Sequence, residues 1–327
     1  MIDTYINQSI IAIEVDSSQA NPYYVFYNLS RRYEELRSIS DGTSSRGSLT
    51  TKLIGELSIV LPELTVQNNI VKFIKPLDDQ IELLHSINDN LVRISNELYN
   101  YSFPYSIDDE LPKGWILGKL ENIIEIHDSK RKPLSGKERA ERAKIYPYYG
   151  AASITDYVDD YLFDGVYLLL GEDGTVVNDD GSPILQYVFG QFWVNNHAHI
   201  LTGRRGYSVE ALYLLCQRIN VDAIVTGAVQ PKISQANLKD IDIVLPPEEV
   251  VTEFSKLLDP IFKQHRSNSL QISKLIELRD SLLPKLMTGE IDISTLELPT
   301  KYSFSTVNSQ YEQDDQRRSQ NKADGEN

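Results

Sequence analysis

The sequence predicts an α+β protein in which mixed α/β domain structure is joined by two long helices packed on each other. Two observations carry this. The first is a long internal repeat: residues 48–98 and 232–282 run in parallel at an offset of 184. Ile59-Val60-Leu61-Pro62 returns as Ile243-Val244-Leu245-Pro246, Gln80 as Gln264, Leu91 as Leu275 and Leu98 as Leu282. Such a repeat marks two copies of one structural unit, and the copies lie too far apart for a solenoid. The second is a heptad-like pattern inside each copy. Ile70, Ile74, Leu77, Ile81, Leu84, Ile87, Leu91, Ile94, Leu98 and Tyr101 are spaced 4-3-4-3-3-4-3-4-3, an a/d seam with one phase slip at Leu84–Ile87. Phe254, Leu258, Ile261, Ile272, Leu275, Leu278, Leu282 and Leu286 repeat it, interrupted by His265 and Asn268. A lone helix cannot bury such a seam, so the two helices are expected to pair. Pro76 and Pro260, at equivalent places, predict matching kinks or breaks.

The elements follow in chain order. Residues 1–62 read as the end of an α/β domain: a strand over Ser9–Ile13, a helix over Tyr23–Leu36, a polar loop at Asp41–Gly47 and a strand over Glu56–Leu61 closed by Pro62. Residues 63–104 are the first long helix. Residues 105–246 form a complete mixed α/β domain, opening at Leu111-Pro112-Lys113-Gly114-Trp115. Its strands are expected at Tyr167–Leu170, Ile184–Val188, His199–Leu201 and Ile241–Leu245, with a helix over Ser208–Ile219. Residues 247–293 are the second long helix. Residues 294–327 are a polar tail with too few apolar residues to fold. A second layer of repeat relates Asn7–Ile13 to Asn195–Leu201, and Gly42-Thr43 to Gly227-Ala228. Residues 1–62 therefore match the last third of a domain like the complete one.

Bulk properties bound the function. At 327 residues the chain has room for two domains, and no run of 18 apolar residues offers a membrane span. Met1–Tyr5 lacks a secretory signal. A single cysteine, Cys216, sits in an apolar run as a buried thiol, which fits a reducing cytoplasm. The net charge of −15 argues against a chain that binds nucleic acid unaided. It leaves room for a local basic patch in a chain that binds as part of a complex.

That patch is Lys130-Arg131-Lys132 with Lys137, Arg139, Arg142 and Lys144, seven positive and two negative charges over 130–144. It runs into Tyr146-Pro147-Tyr148-Tyr149, and basic residues beside aromatics suit phosphate and base contact. The plainer reading is a solvated loop over packed tyrosines. Arg204 and Arg205 follow a strand, and Gln230 and Lys232 lie in the Thr226–Lys232 loop; these are residue types that read base edges, and they are expected to face the same way as the patch. Gly171-Glu172-Asp173-Gly174-Thr175 lacks the spacing of a nucleotide fingerprint and reads as a plain turn. His197 and His199 read as packed histidines, since no third ligand supports a metal. Asn21-Pro22-Tyr23-Tyr24 is a helix start, and no Walker A sequence exists. The pairs Asp159-Asp160, Asp179-Asp180 and Glu172-Asp173 read as surface charge rather than as a hydrolase site.

Taken together, these stretches resemble the specificity (S) subunits of type I restriction–modification systems. The resemblance is carried by Leu111-Pro112-x-Gly114-Trp115, Tyr146-x-Tyr148-Tyr149-Gly150-Ala151, Gly171-x-x-Gly174-Thr175, Asn195–Leu201, Thr226–Ile233 and Val244-Leu245-Pro246. Most specific is Arg279-Asp280-x-Leu282-Leu283-Pro284-Lys285-Leu286-Met287-x-Gly289-Glu290-Ile291. The likeness covers roughly residues 1–293. It implies target recognition domains joined by two long helices packed as an antiparallel coiled-coil spacer. Each domain would read half of a bipartite site on double-stranded DNA, and the helices would hold methyltransferase (M) subunits, with restriction (R) subunits joining later. It implies no catalytic residue and no cofactor. Residues 1–62 would be the C-terminal remnant of a first recognition domain and 105–246 a complete second one. Two alternatives stay open: a fragment that binds methyltransferase subunits without specifying a full site, and an acidic hydrolase using its carboxylate pairs.

Overall fold

A computed structural model describes residues 10–42, 48–227 and 230–293 of the chain. The expected polar tail at 294–327 lies outside the described residues, as do Ser9, residues 43–47, Ala228 and Val229. The chain divides into two compact units, residues 81–274 and residues 1–80 with 275–327.

The elements in chain order begin with α1 (Pro22–Ser30), α2 (Tyr33–Asp41), α3 (Thr51–Gly55) and the long α4 (Leu64–Ser102). Then come β1 (Ile116–Lys119), β2 (Ile124–Ile126), α5 (Gly136–Ala140), β3 (Tyr146–Tyr149), β4 (Ile154–Val158), β5 (Phe163–Gly171), β6 (Leu185–Val194) and β7 (Ala198–Gly203). The last are α6 (Val209–Cys216), α7 (Gln235–Lys239), β8 (Asp242–Leu245) and the long α8 (Glu248–Met287).

The 81–274 unit is built on a six-stranded sheet ordered β2-β7-β5-β6-β3-β4. All its pairings are antiparallel except β3 with β6. β5 is the central strand because Leu168-Leu169-Leu170 buries both faces. Leu168 and Leu170 point to a core shared with Leu201, Leu212 and Leu214, and Leu169 to a second core with Phe163, Phe192 and Ile200. α6 covers the first of these, and its entry is fixed by Ser208, whose hydroxyl accepts from the Ala211 N–H. β1 and β8 form a separate antiparallel ribbon, with Ile116 opposite Leu245. The expected strands at 167–170, 184–188, 199–201 and 241–245 and the helix at 208–219 are present. β2, β3 and β4 were not foreseen. The last two sit in or beside the basic, tyrosine-rich run, whose composition hides a period-2 signal.

Both long helices run from where the sequence places them, and neither is broken at Pro76 or Pro260. Within the 81–274 unit they pack antiparallel: Asn88 meets Asn268 and Tyr99 meets Phe254. The seam differs from the apolar pattern. No phase slip occurs after Leu84; instead the buried positions continue as Asn88, Ser95 and Tyr99, while Ile87, Ile94 and Tyr101 are exposed. Strict heptad geometry decides which residues face the partner, so two polar side chains enter and three apolar ones leave. Asn88 is satisfied in place. Its amide donates to the His265 carbonyl and the Ser269 hydroxyl, and its oxygen accepts from the Asn268 amide at 2.8 Å. Asn88→Leu strands the Asn268 amide and is expected to cost roughly 1–3 kcal/mol in thermal unfolding. Pairing it with Asn268→Leu should recover that loss while loosening the register. Equal stability of the single and double variants would sink this account.

The other unit joins α1–α3 to residues 64–80 and 275–293. Asn21 caps α1 by accepting from the Tyr23 and Tyr24 N–H groups. Tyr24 and Tyr27 then pack with Ile70, Ile74, Leu283 and Leu286, and the Tyr27 hydroxyl donates to Asp78, which also pairs with Arg279. The single helix expected over 23–36 is two, parted at Arg31–Arg32, where the Arg32 guanidinium pairs with Glu35 and donates to the Ser58 carbonyl. The strands expected at 9–13 and 56–61 are absent among the described residues. Their counterparts, β7 and β8, pair with β2, β5 and β1; the described residues of this unit hold no such partners, so no ladder forms.

Candidate nucleic-acid interface

The site lies in the 81–274 unit, at the end of the six-stranded sheet where β2 leaves and β7 begins. Three loops meet there. The first follows β2: a 3-10 turn over Asp128–Lys130, then Arg131–Leu134. The second is the turn Glu172–Thr175 after β5. The third is the loop closed by mutual Thr226–Lys232 backbone hydrogen bonds at 2.9 and 2.7 Å. Gly227 sits there with φ +89°, and a Cβ on it would lie 2.3 Å from the Gln230 carbonyl, so this turn requires glycine. The second and third loops are tied by Gly174 N–H to Pro231 carbonyl and Ile233 N–H to Glu172 carbonyl. The glycine-bracketed turn is thus a plain turn, but one that holds the neighbouring loop.

A charged cluster lies beneath the loops. Arg131 reaches Glu172 at 2.5 Å, Asp128 at 3.3 Å and the Ala198 carbonyl at 2.7 Å. The Asp128 carboxylate also takes hydrogen bonds from the Ile200 N–H and the Gln235 amide and lies 2.6 Å from His199 Nδ1. His199 is fully buried, its Nε2 facing the Ile233 carbonyl at 2.8 Å. The packed reading of His199 holds, and His197 is half-buried, its Nδ1 3.7 Å from the Asp173 carboxylate. Glu172 is no surface charge, being largely buried and bonded, whereas Asp159, Asp160, Asp179 and Asp180 are exposed. Asp128, Glu172 and His199 place ligand atoms within 4.8 Å of one another, but the Arg131 guanidinium bonds both carboxylates, which is the place a cation would take.

Burial pushes the Asp128 carboxyl up. Its bond to His199, the charge there, the Ile200 N–H and Arg131 outweigh that and hold it below its ordinary 3.8. A carboxyl lowered on folding stabilises the fold at pH above its unfolded value, and that contribution is lost as the pH falls through the folded one. Acidification below about pH 4 should therefore lower the melting temperature more in the native chain than in Asp128→Asn. Parallel pH profiles for the two would contradict this assignment.

The nine expected contact residues separate into three groups. Arg131, Tyr148 and Tyr149 are turned inward. Arg131 is spent on the cluster. The buried Tyr148 hydroxyl accepts from the Leu134 N–H, and Arg139 stacks on its ring. Tyr149 packs edge-on against Phe192, and burial pushes its hydroxyl up to about 12. Lys130, Lys132, Gln230 and Lys232 stay at the surface near the converging loops. Arg204 and Arg205 are exposed too, but at the far end of β7, roughly 16 Å from His199 by strand rise. The expectation that they face the same way as the patch is corrected by the antiparallel β2–β7 register, which sets Ile126 opposite Leu201 and Ile124 opposite Gly203. The patch itself is thinner than its charge count. Arg139 and Lys144 pair with Asp156 and Arg142 with Asp159, whereas Lys130, Lys132 and Lys137 make no ion pair among the described residues. Asp128 escaped sequence reasoning, its one local signal being an acid two residues ahead of three consecutive bases, and Glu172 was singled out only as surface charge.

A sheet domain carrying a loop cluster with projecting lysines, borne on a pair of antiparallel helices, defines a recognition module on a helical support. The family model described as the type I restriction modification DNA specificity domain matches residues 1–93 and 112–278, and the chain belongs to that family. A putative type I restriction enzyme specificity subunit of Haemophilus influenzae is 34% identical over 142 residues, 43% of this chain and 36% of that protein. A type I restriction enzyme specificity subunit of Methanocaldococcus jannaschii is 26% identical over 304 residues, 84% of this chain and 69% of that protein. The chain thus spans about a third of the first relative and about two thirds of the second. The crystal structure of the type I restriction–modification S subunit from M. genitalium shares the fold, with a TM-score of 0.50 at 18% identity, covering 83% of this chain and 74% of that one. The described residues include no helix long and apolar enough to cross a membrane.

Proposed function

We propose that this chain is a DNA-specificity subunit of a type I restriction–modification complex, non-catalytic and cytoplasmic, whose complete domain, residues 105–246, reads one half of a bipartite target. The observation that supports this best is the convergence of three loops that leaves Lys130, Lys132, Gln230 and Lys232 projecting from one end of a rigid sheet. Phosphate contact by the lysines positions the domain, and Gln and Lys suit base edges.

The long helices α4 and α8 are the support on which methyltransferase subunits dock, with restriction subunits joining the assembly. On α4, Leu83, Ile87, Ile94 and Tyr101 form one outward apolar stripe, 53%, 37%, 43% and 88% exposed. Their spacing returns to the same helix face each time. An unburied stripe of this kind fits a subunit interface. Residues 1–62 are read as the remnant of a first recognition domain.

The test is co-expression with the cognate methyltransferase subunit and mapping of adenine methylation across the host genome. A methylated bipartite motif is the expected result. Co-purification without methylation would leave a scaffold fragment, and failure to co-purify would remove the helices as the docking surface.

A further inference from the structure

We propose that Glu172 is a positioning residue for half-site reading, setting the Lys232 ammonium in place through the buried cluster it shares with Arg131. This deepens the DNA-reading function and rests on it. Glu172 uses both carboxylate oxygens, one on Arg131 at 2.5 Å and one on Lys232 at 3.3 Å. The two cations come from different loops, so a single side chain fixes the spacing between them. The cluster gathers Asp128, Arg131, Glu172, His199, Lys232 and Gln235 from segments far apart in the chain.

A buried ionic group contributes little net stability, because desolvation offsets attraction; what it supplies is defined geometry. Lys232 is where that geometry reaches solvent. Its side chain is 47% exposed, against 13% or less for Arg131, Glu172, Asp128 and His199. A free lysine is a flexible chain with a mobile charge. Held by Glu172, on a loop whose ends are bonded at Thr226 and Lys232, it is ordered before DNA arrives, and pre-ordering is what converts contact into discrimination. The remaining oxygen contacts of Glu172 are internal, which separates its role from that of a group that reads bases itself.

The experiment uses the full chain in its methyltransferase complex. Binding is measured to a duplex carrying the mapped target and to a scrambled duplex, for the native chain, Glu172→Gln, Lys232→Ala and the double variant. Glu172→Gln is expected to lower the target-to-scrambled affinity ratio roughly tenfold, with affinity for the scrambled duplex and the melting temperature little changed. The double variant is expected to be no worse than Lys232→Ala alone, since Glu172 acts through Lys232. Full discrimination by Glu172→Gln, or additive losses, would overturn the proposal while leaving the DNA-reading function intact. A native complex without discrimination would overturn both. A second measurement needs no variant: in the free native complex, Lys232 should acylate several-fold more slowly than Lys130 and Lys132 by mass spectrometry. Equal rates would show that Glu172 does not hold it, whatever the stability of the Glu172→Gln chain.

Discussion

Glu210→Ala is expected to destabilise the 81–274 unit by about 3–5 kcal/mol, the cost of leaving a buried cation without its partner. Glu210 lies on α6 and is buried; its Oε1 accepts from the Tyr187 hydroxyl at 2.7 Å and from Arg266 Nη1 at 2.8 Å. Arg266, on α8, also donates to the Tyr187 hydroxyl on β6. One carboxylate therefore joins sheet, covering helix and support helix. Burial, followed by the Glu210 charge, pushes the Tyr187 hydroxyl well above its ordinary value, so it stays a neutral donor. Glu210→Gln keeps an acceptor and should lose much less. Urea unfolding of the three proteins checks this, and a loss below 1 kcal/mol for the alanine variant would show that water replaces the carboxylate.

The second large effect concerns DNA. Lys130→Ala with Lys132→Ala should reduce the salt slope of binding by about two, one per lost phosphate contact, and weaken all sequences alike. Arg142→Ala serves as the contrast. Arg142 is committed to Asp159 at 2.8 Å and lies over the Trp193 ring, so removing it should leave the salt slope unchanged. Trp193 in turn donates from Nε1 to the Lys132 carbonyl, which holds the loop against the sheet whatever the lysine side chain becomes. An unchanged slope in the double lysine variant, or an equal drop in Arg142→Ala, would take this loop out of the interface.

The long helices were legible because a repeat and a heptad pattern extend over some forty residues, where local errors average out. Their seam was not, because Asn88 and Ser95 are polar and Ile87, Ile94 and Tyr101 apolar. Only the partner helix decides that the first pair faces inward. The central strands were legible from Leu168-Leu169-Leu170 and Ile184–Val188. β3 was hidden by Pro147 and the preceding charges. In the candidate site, residue type pointed to two loops that converge in the structure, those of Lys130–Lys132 and Gln230–Lys232, but not to which side chains leave them, nor to the separate placement of Arg204 and Arg205. Arg131 reads like its neighbours until its partner Glu172, 41 residues away, is brought beside it. The strands expected at 9–13 and 56–61 show the same limit: a short apolar run becomes a strand only where a neighbour completes the ladder.

The loop after β2 alternates in its commitments. Lys130 faces out, Arg131 is locked in, Lys132 faces out while its carbonyl is held by Trp193, and Leu134 is fastened to Tyr148. Fastening and projecting positions are therefore different residues. Positions 130, 132, 137 and 230 are free to vary in chemistry without disturbing the groups that shape the loops. On the proposed DNA-reading function, substitution of Gln230 would shift target preference, whereas substitution of Lys130 or Lys132 would change the affinity for all sequences alike; each change is nearly neutral for folding, so a lineage could retune its hold on DNA without passing through an unfolded intermediate.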